Sequence, residues 1–415
     1  MSLGVDVART LDGLLVAVCV EARLLPALTA INAVEERKRL IGALDRGQMP
    51  TPAWQLPLRV RSSRAENMIK EARALAANSP ASALYDKRLE ELELDLAILH
   101  ALPDARRVRT LAARRFGTGA SKVTTESGEV AVSAIARHIL DSVPADPETD
   151  FLPADAREGP SCAQIVRQVA HAAGLQVDVR IEPRLAAAAA TGEKLIFLAD
   201  RRFGVREAVR VAVHEVLAHL TAAANGRSQP LRILELGTAG SFVDQEGVAL
   251  HLEWESGFFD GRRLRILAAR VVATDRMHAG ASFAEVARDL IRDEGFASAD
   301  AVAIAERAFR GGGVARDAGY LRGLIRVRHA IRSGAVTLDE LRLGRVGIDD
   351  LEVLRRLKNE GLVREPHYRA SLEVVKVPYV GVPSFFSNLS LTPGGTSLDT
   401  SPPNLAASLT RFELT

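Results

Sequence analysis

The feature that most constrains this chain is one helical stretch, residues 205–224. Apolar side chains recur at 205, 209, 212, 213, 216, 217 and 220, which is one face of a 3.6-residue period. Asn225-Gly226 follows as a stop signal. Inside the stretch sits His214-Glu215-Val216-Leu217-Ala218-His219, an H-E-x-x-x-H pattern one residue longer than the H-E-x-x-H zinc motif. On a regular helix, residues four apart lie about 40° apart around the axis, and residues five apart about 140°. Two histidines at that angle cannot share an ion. A π-bulge absorbs one extra residue in a turn. A shared metal therefore calls for an i→i+5 bond, or a skipped i→i+4 bond, between Val211 and Leu220, or for a helix already ended near Ala218, which the helix-favouring run 220–224 before Asn225-Gly226 argues against. The alternative is one solvated histidine and one satisfied near the core edge.

A hydrolytic zinc site needs three protein ligands and an open position for water, and two histidines with one glutamate form a known set. Gln245-Glu246-Gly247-Val248-Ala249 offers a carboxylate 27 residues after His219, near the start of a second amphipathic stretch that runs through Trp254. His251, Glu253 and Glu255 compete with Glu246. Glu253 and Glu255 are expected on the surface, where glutamates usually lie.

Composition removes other classes. Basic and acidic residues nearly balance, 54 against 52, so no global field favours nucleic acid. Aromatic residues make up only 5%, which is poor in base-stacking platforms. Cys19 and Cys162 form no CxxC pair, so neither a disulfide framework nor a cysteine zinc site is expected. The apolar run at 14–20 is too short to span a bilayer and has no cleavage site behind it. These features predict a cytoplasmic protein that binds neither nucleic acid nor membrane. They leave its oligomeric state open.

Residues 1–142 read as a helical region: 11–44 with a break at Pro26, then 64–77 and 82–102. A Pro- and Asp-rich linker occupies 142–160. A helix is expected over 162–173, strands over 177–181 and 195–199, and mostly helices to about 362. The core domain is placed at 143–364. The remainder, 365–415, reads as an extended or partly disordered tail because Pro, Ser, Thr and Gly cluster there.

The chain resembles the tyrosine carboxypeptidase family of zinc peptidases. Animal members of that family remove the C-terminal tyrosine of α-tubulin, and bacterial members carry a QEGLA motif. The resemblance spans roughly residues 10–365. It rests on the His214–His219 block, Asn225-Gly226, the Gln245–Ala249 block, Arg307-Ala308-Phe309-Arg310-Gly311-Gly312-Gly313, Asp317 and Tyr320-Leu321-Arg322-Gly323. Val248 replaces the usual Leu, and Arg316 stands where Lys is common, which keeps the charge but changes donor geometry.

The resemblance implies an α+β, mostly helical, zincin-like metallopeptidase core with a small sheet. It implies Zn²⁺ on His214, His219 and Glu246, with Glu215 as the base. The substrate would be a peptide or protein C-terminus, and a terminal aromatic preference is implied by the family alone. A terminal carboxylate calls for arginine; the candidates are Arg270, Arg310 and Arg316, with Tyr320 as an oxyanion donor. Gly311-Gly312-Gly313 reads as a tight turn near the site. A metal-binding regulatory or scaffold protein is the alternative, and retention of Glu215 argues against it. A di-iron bundle would need more Glu-x-x-His pairs.

Overall fold

The computed structural model describes residues 5–58, 63–125, 128–144, 150–192, 194–369 and 371–375. It is mostly helical with small sheets. The expected first helical stretch divides into Val5–Glu21, Leu24–Leu28 and Ala33–Asp45. Pro26 falls in the first turn of the short middle helix, where its missing N–H costs no intrahelical bond. Val7–Asp45 is long and apolar enough to cross a membrane by length and composition. Within it the chain breaks at 22–23 and 29–32, and Leu11, Leu15 and Val18 pack in the core with the helix Arg64–Ala76.

Two parts of the N-terminal half depart from expectation. Lys122–Thr125 and Gly128–Ala131 form an antiparallel hairpin in a region read as helical. The β-branched Val123, Thr124 and Thr125, followed by Gly128 at φ 109°, carry the signal for it. The linker contributes Phe151–Leu152, which pairs with Phe203–Gly204. The tail expected over 365–415 falls largely outside the described residues.

The larger sheet has Leu195–Ala199 at its centre, parallel to Asp178–Glu182 and antiparallel to Ala189–Thr191. The third strand is not announced by its alanines, which favour helix. Gly192 N–H donates to Leu195 O and Ala199 N–H to Ala188 O. By antiparallel alternation, Ala189 and Thr191 turn their backbone groups to the free edge.

Beneath the sheet runs the helix of the histidine motif. It is central rather than amphipathic: nearly every residue from Ala208 to Leu220 is buried, and its polar side faces an internal cleft. Asn225-Gly226 does not stop it, because helix continues to Ser228. Asn225 is fully buried. Its side-chain amide donates to Arg342 O and Tyr368 O and accepts from Tyr368 N–H. At Gly226 a Cβ would lie 2.6 Å from Leu234 O. The dipeptide therefore docks later chain segments against the helix.

The helix Ser241–Glu255 packs along Ala318–Arg332. They cross glycine on glycine. A Cβ on Gly247 would sit 2.3 Å from Gly323 O, and one on Gly323 would sit 2.2 Å from Val243 O. This close approach brings Tyr320 onto Glu246.

Candidate active site

The motif helix is α over Val205–Ala212, π over Val213–Leu220, and α again over Thr221–Ser228. The π segment spans H-E-x-x-x-H, as the spacing requires. Thr221 anchors it: both its N–H and its hydroxyl reach Val216 O, five residues back, the hydroxyl at 2.9 Å. Thr221 has no exposure, so that carbonyl has no water to turn to.

The widened turn brings the two imidazoles together. Their Nε2 atoms are 3.2 Å apart, and Glu246 Oε2 lies 3.3 Å from His214 Nε2 and 3.7 Å from His219 Nε2. One ligand atom from each of the three residues lies within 4.8 Å of the others. Glu246 Oε2 is buried with no hydrogen bond to protein. A carboxylate oxygen left this way beside two imidazole nitrogens is a donor set arranged for a cation.

His214 and Glu246 are braced from behind. Glu253 Oε1 lies 2.6 Å from His214 Nδ1. A carboxylate can only accept, so Nδ1 carries the proton and Nε2 presents its lone pair when the ring is neutral. Glu253 accepts two bonds from Arg263, at 2.9 and 2.8 Å. Burial would raise the Glu253 pKa, but Arg263 and His214 hold it at about 2. Burial also disfavours charge on His214, yet Glu246 and Glu253 outweigh it and lift its pKa to about 10. Burial opposes ionisation of Glu246, and the two imidazoles nevertheless hold it well below the usual carboxylate range. The cluster thus stabilises positive charge at its centre.

Glu253 was expected on the surface and is instead 1% exposed. A signal for it exists, because Glu246 and Glu253 are seven apart and so share a helix face. Glu255 and His251 do not line the cleft; Glu255 pairs with Arg328 at 3.0 Å.

Glu215 is buried beside the pair, and its Oε2 accepts from the Thr191 hydroxyl at 2.6 Å. Thr191 is a second residue that sequence reasoning did not reach. Tyr320 donates its hydroxyl to Glu246 Oε1 at 3.1 Å, and the Tyr320 hydroxyl oxygen accepts from Arg307 Nη2 at 3.5 Å. Burial and Glu246 push the Tyr320 pKa up to about 12, so it stays a donor.

All eight residues singled out from the sequence line one cleft of about 1160 Å³. Its arginines are not equivalent. Arg270 lies 3.7 Å from Asp317, with its guanidinium 5.3 Å from the Tyr320 ring centroid. Arg316 stacks on Phe242 at 4.6 Å, and its Nε has no hydrogen bond. The Arg310 side chain makes no hydrogen bond or ion pair among the described residues. Burial and the neighbouring Arg307 pull Arg310 down to about 10 and Arg270 to about 9. Both sites would be relieved by an anion. The turn between Arg310 and Arg316 has positive φ at Gly311, Gly312, Gly313 and Ala315 (62°, 88°, 119° and 42°). It is the tight turn expected from the three glycines.

Two imidazoles and a carboxylate converging in a cleft, with a second glutamate alongside, belong to the class of sites that metal-dependent hydrolases use. Residues 45–376 match the family model described as microtubule-associated tyrosine carboxypeptidase, and the chain belongs to this carboxypeptidase family. No curated protein and no solved structure matches it.

Proposed function

We propose that this chain is a cytoplasmic zinc carboxypeptidase that removes one C-terminal residue, preferentially aromatic, from a peptide or protein. The observation that carries the reading is the convergence of His214, His219 and Glu246 across the π segment. Ligand atoms about 2.0–2.1 Å from a tetrahedral zinc are about 3.3 Å from one another. The separations of 3.2, 3.3 and 3.7 Å fit that ion. Two free cysteines suit a reducing compartment.

When bound there, zinc supplies Lewis acidity and lowers the pKa of water toward 7. The chain's residues do the rest. Glu215, aimed by Thr191, takes the proton of the attacking water and delivers it to the departing amine. Glu253 holds His214 in the tautomer that leaves Nε2 free. The Tyr320 hydroxyl, poised between Glu246 and Arg307, donates to the oxyanion that develops on the scissile carbonyl. Arg310 and Arg316, with least to hold within the protein, receive the terminal carboxylate; Arg270 is more engaged through Asp317.

The test is a peptide library with varied C-termini, each peptide as free acid and as amide, followed by mass spectrometry. Loss of a single residue from the free acids alone is expected. Amides cleaved as fast as acids would make the enzyme an endopeptidase.

A further inference from the structure

The family match begins at residue 45, yet the cleft is also lined from before it, by Arg23, Leu25, Pro26, Thr29 and Arg37 among others. Arg37, on the helix Ala33–Asp45, does the most. Its guanidinium makes a two-pronged pair with Glu306, Nε to Oε2 at 2.6 Å and Nη2 to Oε1 at 2.9 Å. The same group donates to Arg184 O at 3.0 Å and Leu185 O at 3.4 Å.

These partners belong to separate elements that both line the cleft. Arg184 and Leu185 belong to the loop between the strands Asp178–Glu182 and Ala189–Thr191, the edge beside Glu215. Glu306 belongs to the helix Ser298–Phe309, whose Ile304 and Arg307 line the cleft. Glu306 is one helical turn from Arg310, so the bridge crosses at the end where the arginines gather. Its carboxylate is 6% exposed as a residue and gains its charge-assisted partner from Arg37. Leu28, from the preceding short helix, lies where a Cβ on Gly311 would fall, at 2.1 Å. The N-terminal segment thus braces the arginine-bearing turn as well.

We infer that Arg37 is a specificity-determining positioning residue: by tying the 183–185 loop to Glu306 it closes one end of the cleft, so that a chain terminus fits and a continuing chain does not. The inference rests on the peptidase reading for its substrate and on geometry alone for the closure. A cleft open at both ends would accept an internal segment, and a crossbar converts it into a blind pocket. Lysine could not replace Arg37, because a point ammonium lacks the planar fork that reaches four acceptors at once.

The experiment uses the full chain in four forms: wild type, Arg37→Ala, Glu306→Gln and the double variant. Backbone amide exchange over residues 184–188 should quicken at least fivefold in both variants. Each variant should also cleave a C-terminally amidated or extended peptide at least tenfold faster than wild type, with products ending at internal bonds. Combining the two changes should add little, since both break one bridge. Unchanged exchange in both variants overturns the closure. Faster exchange with cleavage still confined to the terminal bond overturns the specificity role. If the wild type cleaves nothing, the peptidase reading fails, and the exchange measurement still decides whether the bridge holds the loop.

Discussion

At the histidine end of the cleft most functional side chains are held by another, whereas at the arginine end Arg310 and Arg316 have little to hold. His214 leans on Glu253, Glu253 on Arg263, Glu215 on Thr191, and Glu246 on Tyr320. Arg310 makes no pair among the described residues, and Arg316 rests on a ring face. The first end is preorganised, which is what a group reacting at fixed distances needs. The second stores uncompensated positive charge, which is what a group receiving an anion needs. Both ends grow from nearby stretches of sequence. The difference lies in whether the protein itself supplies the counter-charge.

Changes at the two ends should therefore fail differently. The largest effect is expected from Glu215→Gln, which keeps its shape but cannot take a proton. Turnover should fall about 10²–10⁴-fold while bound metal stays at wild-type level by elemental analysis. Near-normal turnover would point to another base. At the arginine end, Arg310→Ala removes a charged hydrogen-bond donor worth about 1.5–3 kcal/mol. For a free-acid peptide, kcat/KM should drop about 10–100-fold, mostly through KM, with no loss of metal. A fall in kcat alone would move the carboxylate site elsewhere.

Glu253→Gln probes the bracing directly. Removing an outer partner of a ligating histidine typically costs about 10–100-fold in metal affinity, readable by competition with a chelator. Unchanged affinity would mean that Glu253 serves only Arg263. The smallest effect is expected at the helix crossing. Gly247→Ala places a methyl group against Gly323 O and should destabilise the fold by about 1–3 kcal/mol, seen as a lower denaturation midpoint. No change in stability would show that the two helices can separate freely.

How much of this was readable beforehand follows the same division. If His214 and His219 share an ion, their spacing calls for a widened turn between them, and the π segment lies there. Periodicity placed Glu246 near the start of a helix but left His251, Glu253 and Glu255 beside it as candidates, and the family resemblance singled out Glu246. Glu253 was missed because general exposure statistics for glutamate were allowed to outweigh a seven-residue spacing. Thr191 could not be found, since it reaches Glu215, 24 positions away, only once the strand Ala189–Thr191 packs against the motif helix. Asn225-Gly226 misled because a local stop signal was overridden by tertiary bonds to Arg342 and Tyr368. The hairpin at residues 122–131 was lost inside a long run of helices. Local periodicity thus revealed what lies along one helix, and contacts between elements hid the rest.

On the proposed reading, the π segment makes His214 and His219 ligands of one ion together with Glu246. Zinc content of the purified full chain, measured by elemental analysis beside His214→Ala, His219→Ala and Glu246→Ala, tests it most directly. About one zinc per chain is expected in the wild type, with near-complete loss in each variant and the fold retained by circular dichroism. Full zinc in His219→Ala, with the helix intact, would contradict it.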